Sequence, residues 1–175
     1  MGWIILAAVA TAVVAALVFI IIILQLIISA DRNSNSAMEQ IGLQIAKQYD
    51  AIMELLSLAN EFSADECEEI IDTIKKTSSK IIESSSVSET LQREKILLQA
   101  VARLHETVEK YPEIKSNQQR LMNLDTVNSY DSSVKKYKLQ YNENVKKLNG
   151  LISHFPGAIF AKIMHIDKRD GKFDI

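Results

Sequence analysis

From Trp3 to Leu24 the chain is apolar at every position except Thr11, and Met1 to Ala30 contains four residues outside the apolar set: Gly2, Thr11, Gln25 and Ser29. A bilayer core takes ~20 apolar residues of helix, so this run is long enough to cross once. Thr11 is no obstacle, because its hydroxyl bonds back to the preceding turn. A cleaved signal would carry basic residues before an apolar core of ~7–15 residues, whereas here none precedes a longer run. The pattern therefore predicts an uncleaved anchor, with residues 3–28 in contact with lipid.

Beyond Ala30 the apolar positions become periodic. Ile41, Ile45, Tyr49, Ile52, Leu56, Ala59, Cys67, Ile70, Ile74 and Ile81 recur mostly at intervals of three or four, the signature of one face of a helix. Ser63 and Glu66 form a capping box inside this stripe, the alternative being a turn there and the start of a new helix. The apolar phase crosses it without a slip, which predicts one helix from about Ser36 to Glu83. Ser84 to Ser88 then supply hydroxyls that favour a turn and cap a second helix. That helix is expected from about Glu89 to Lys110, with Leu91, Leu97, Leu98, Val101, Leu104, His105 and Val108 inward. Tyr111-Pro112 ends it, since a residue before proline is driven from helical geometry.

A second capping box, Ser116 to Gln119, opens the last long helix. Its inner stripe is Leu121, Leu124, Val127, Val134, Tyr137, Tyr141, Val145, Leu148, Ile152 and Phe155. Pro156-Gly157 stops it. Between Leu43 and Asn149 there is no Gly and one Pro, consistent with long uninterrupted helices. The expected fold is all-α, a transmembrane helix followed by an antiparallel bundle of long helices. It divides into residues 1–30 as anchor, 31–156 as bundle and 157–175 as an apolar patch with a charged tail. With the first helix continuous, the helix count places this tail at the end of the bundle far from the membrane, packed on the bundle rather than on lipid.

Charge adds one contrast. The 20 basic and 22 acidic side chains all lie from Asp31 onward, and the net charge of −2 gives no basic footprint for nucleic acid. Arg32 and Lys47 are the basic residues nearest the apolar run, a slight bias toward a cytoplasmic bundle and an outside amino end. Lys135, Lys136 and Lys138 with Lys146 and Lys147 form a basic cluster interleaved with Tyr137 and Tyr141. It reads as lysines facing solvent beside core tyrosines.

Candidate chemistry is sparse. His105-Glu106-Thr107-Val108-Glu109 has Glu109 where a zinc protease needs its second His, and no His follows a Glu by three as in a di-iron bundle. Cys67 is the single cysteine, and Asp65, Glu66, Glu68 and Glu69 around it disfavour a thiolate. No catalytic residue, cofactor or metal ligand is assigned.

Glu109-Lys110-Tyr111-Pro112-Glu113-Ile114-Lys115-Ser116-Asn117, then Tyr141-Asn142-Glu143-Asn144-Val145, then Phe155-Pro156, closely resemble the LemA family in identity and spacing. A weaker likeness covers Gln48 to Ile52. The chain departs from the family pattern at Met53, where proline is usual, at Leu139-Gln140, where basic residues are usual, and at Leu148-Asn149 in place of a second Tyr-Asn. The motif positions Tyr111, Pro112, Lys115, Asn117, Tyr141, Asn142, Phe155 and Pro156 are read as structural. The resemblance implies a single-pass bacterial membrane protein, its soluble part a bundle of long antiparallel helices and its short amino end outside. The family's molecular activity is itself unsettled. The function expected is a non-enzymatic, membrane-tethered scaffold with an unidentified protein partner. The alternative is a sensor or transport accessory that binds a ligand within the bundle.

Overall fold

The computed structural model describes residues 1–59, 68, 71, 72, 75, 86–110 and 118–174, and among them the chain is all-α. Helix α1 spans Gly2–Ala59, α2 Val87–Lys110, α3 Gln118–Ile152 and α4 Gly157–Met164. The Ser63 alternative, Cys67 and the stretch Tyr111 to Asn117 lie outside the described residues.

Helix α1 is longer than the periodicity implied, because it does not begin near Ser36 but runs on from the apolar stretch. Its hydroxyls are absorbed locally: Thr11 Oγ1 donates to the Ala7 carbonyl at 2.9 Å and Ser34 Oγ to that of Asp31 at 2.8 Å. Ser34 is thus fully buried without an unsatisfied group. The amino-terminal window has a mean hydropathy of 3.1 and none of it is buried, which makes this the one helix among the described residues that is long and apolar enough to cross a membrane.

Helix α2 opens with the cap its serines predicted. The Glu89 amide donates to Ser86 Oγ at 3.3 Å, and the Ser86 amide donates to Glu89 Oε2 at 3.1 Å. This reciprocal pair satisfies two otherwise orphaned donors. The buried phase of α2 is Thr90, Glu94, Leu97 and Ala100. Leu98, one position round from it, is 45% exposed, and His105 is exposed, so neither is the inward residue expected.

The chain forms two compact units. One comprises Met1–Ser36 with Gln140–Asp170, the other Ala37–Leu139 with Gly171–Ile175. In the first, Ile27, Ala30, Leu148, Ile152 and Ala161 form an apolar cluster, flanked by Ile23, Leu151, Phe160, Met164 and Ile166. The second buries Ala37, Ile41, Ile45, Ile52, Leu55 and Leu56 of α1, Leu97 and Ala100 of α2, Val127 and Val134 of α3, and Phe173.

The first cluster overturns the distal tail. Ala161 of α4 lies with Ile27 and Ala30, so the tail sits where the apolar run of α1 gives out. A placement by helix count reverses with every helix added or removed, whereas the contacts of Ala161 fix it directly. Phe155 is a second correction. Helix α3 ends at Ile152, the chain turns through 153–156, and Phe155 is 82% exposed instead of continuing the inner stripe.

Candidate functional site

The first unit is fastened by a clasp that begins in α4. His165 comes after that helix in the left-handed region, with φ 56° and ψ 40°. The Ile166 amide reaches back to the Ala161 carbonyl at 2.9 Å and the His165 amide to that of Lys162 at 3.4 Å. This is a Schellman ending, completed by the apolar contact of Ile166 with the cluster containing Ala161. It turns the chain so that Arg169 meets Asn149.

Asn149 Nδ2 donates to the Arg169 carbonyl at 2.8 Å, and the Arg169 amide donates to Asn149 Oδ1 at 3.1 Å. One side-chain amide therefore serves both main-chain groups of Arg169. The Arg169 guanidinium in turn donates through Nη2 to Asp31 Oδ1 at 2.7 Å and to Asn35 Oδ1 at 2.8 Å. Both members of the ion pair keep about a quarter of their side-chain surface in water. Such a pair contributes roughly 0–1 kcal/mol, so its value lies in fixing position.

The approach of α4 to α3 leaves no room at Gly157. A Cβ there would stand 2.1 Å from the Leu151 carbonyl oxygen and 3.6 Å from Ile27 Cδ1. The first neighbour is backbone and cannot swing aside. Gly157→Ala is expected to destabilise the first unit by about 1–3 kcal/mol, as overpacking does. Hydrogen exchange would show it as lost amide protection across 158–166, and unchanged protection there would refute the close approach.

The second unit holds a buried ion pair. Lys138 Nζ donates to Glu94 Oε2, with both side chains almost wholly excluded from solvent. The ammonium also lies 5.5 Å from the centroid of the Phe173 ring, within cation–π range. Lys138 thus departs from the outward orientation expected of the lysine cluster, although Lys135, Lys136, Lys146 and Lys147 are exposed. Lys135 pairs with Asp131 at 2.8 Å one turn away. The Asp131 carboxylate, which accepts that hydrogen bond, raises the Lys135 pKa above its ordinary value. Gln48 is buried at 2% exposure, and its amide has no hydrogen-bond partner among the described residues.

Of the motif positions, Tyr141 is buried, Asn142 half-buried, and Phe155 and Pro156 form the turn into α4 across a cis peptide bond. Tyr111, Pro112, Lys115 and Asn117 lie outside the described residues. Among the described residues no three His, Cys, Asp or Glu side chains converge as a metal site. The groups that sequence reasoning missed are Arg169, Asp31, Gly157, Phe173 and the Glu94–Lys138 pair. The last had a signal, since Glu94 and Lys138 each stand on the apolar phase of their own helix.

The model of the LemA family matches residues 37–174, most of the chain, and the chain belongs to that family. No curated protein matches it.

Proposed function

We propose that this LemA-family chain is a membrane-anchored, non-enzymatic helical scaffold that holds a protein partner at the cytoplasmic face of the membrane. The observation that carries the reading is the continuity of α1. One unbroken helix contains both an exposed apolar stretch of spanning length and the buried stripe Ile41, Ile45, Ile52 and Leu56. Such a helix would tie the chain to the bilayer, as a membrane scaffold requires. Arg32, next to the apolar stretch, supports a cytoplasmic bundle through the positive-inside bias. Asp31 does not offset Arg32 alone, because its carboxylate is engaged by Arg169.

A photoreactive residue in place of Leu98, on the full chain in native membranes, tests the partner. A discrete cross-linked protein is expected from Leu98, which is exposed, and not from the buried neighbour Leu97. If Leu98, and then Leu43 and Leu139, each yield only self-cross-links or none, the scaffold reading fails.

A further inference from the structure

We propose that Phe155 and α4 form a second membrane contact, an interfacial foot resting in the lipid headgroup region beside the point where α1 leaves the bilayer. The inference rests on α1 being the anchor. Helix α4 uses one side for packing: Gly157 and Ala161 are buried, with Phe160 and Met164 against the cluster of Ile27 and Ala30. Its other side carries Ile159 at 52% and Ile163 at 67% exposure, one turn apart, and Phe155 at 82% stands just before it. Outside α1, these three are the large apolar side chains left exposed among the described residues of that unit. Among the described residues of the other unit the exposed large apolar ones, Leu43, Leu98 and Leu139, fall one to a helix. Single exposed leucines are ordinary, but a contiguous patch marks a contact.

The depth of the patch identifies its cover. The uninterrupted apolar run ends at Leu24, and Ile27 and Ala30, on which α4 packs, lie three and six residues farther on. At 1.5 Å per residue that is ~4.5–9 Å along the helix. The headgroup layer outside the hydrocarbon core is ~5–7.5 Å thick on each side, so α4 stands at headgroup level, where interfacial helices lie. The patch thus lies level with the end of the apolar stretch of α1 rather than remote from it. Lys162 is exposed on the same helix, flanking Ile159, with a stem long enough to lie along the apolar face while its charge stays in water. Lys168 is balanced by Asp167 and Asp170, and His154 and His165 are exposed nearby, so the contact is chiefly apolar and needs no anionic lipid.

The chain has one tryptophan, Trp3. In a Trp3→Phe background, Ile163→Trp places a sole fluorophore on the foot and Leu139→Trp one in the other unit. Both sites are exposed, so neither substitution disturbs a core. The full-length variants are reconstituted into phosphatidylcholine vesicles brominated in the upper acyl chain, with the unsubstituted chain reporting Trp3. The expected result is a blue-shifted emission at residue 163 that loses most of its intensity to the bromines, and a residue 139 emission that is unaffected. Quenching at Trp3 without quenching at residue 163 overturns the foot and leaves the anchor standing. A blue-shifted but unquenched residue 163 also overturns it, in favour of protein covering the patch. No quenching at Trp3 defeats the anchor reading and the foot with it, as does equal quenching at residue 139 for the foot.

Discussion

Lys138→Met alone is expected to lower stability by ~3–5 kcal/mol, because it leaves the Glu94 carboxylate buried with no opposite charge. Methionine nearly preserves the volume, so the loss reports the charge and not a cavity. The double variant Glu94→Leu/Lys138→Met should recover most of it, since two apolar groups in a buried site carry no desolvation penalty. Thermal or denaturant melts of the full chain in detergent form the double-mutant cycle. Additive losses in the double variant would show that the pair is not buried as a unit. A recovered double variant would also assign the pair its value: it matches α2 to α3 in one register, at little net gain in stability.

Phe173→Ala is expected to be as severe, at about 3–5 kcal/mol, and Phe155→Ala nearly silent by comparison. The two phenylalanines reverse what sequence position suggests. Phe155 falls on the extrapolated stripe of α3 yet is exposed, while Phe173 lies in a charged tail yet retains 3% of its surface. Its ring faces the Lys138 ammonium, so the alanine also removes the cation–π contact. Gly171, two residues earlier, brings the tail close enough that a Cβ would stand 2.9 Å from Val87 Cγ2. Melts of the two variants side by side decide the matter, and equal losses would mean that the tail does not dock.

The helices were legible because their cause is local. Apolar spacing, the absence of breakers and the Ser86–Glu89 cap all act within a few residues, and α2 begins at the serines where the pattern put its cap. The buried pair was half-legible, because charges on an apolar phase are visible one helix at a time but their pairing is not. The clasp was illegible from periodicity. Arg169 finds Asp31 across 138 residues, through a turn whose geometry comes from His165 and Gly157. Only the resemblance pointed near it: Asn149, which remains where the family shows a second Tyr-Asn, is the side chain that seats the Arg169 backbone. Phe155 was misplaced because a stripe extrapolates past the residue where its helix stops.

The clasp also sets an order of events in the making of the protein. Ile27 and Ala30 are covered by Leu148, Ile152 and Ala161, and Asp31 is paired with Arg169, synthesised 138 residues after it. At ~5–20 residues per second the wait is on the order of 10 s, long after the apolar stretch has emerged. Contacts of such separation are slow to form because the intervening chain must first close a large loop. Formation of α1 and completion of the first unit are therefore separate steps in time, and a chain that stops short of Arg169 leaves the inner face of α1 open.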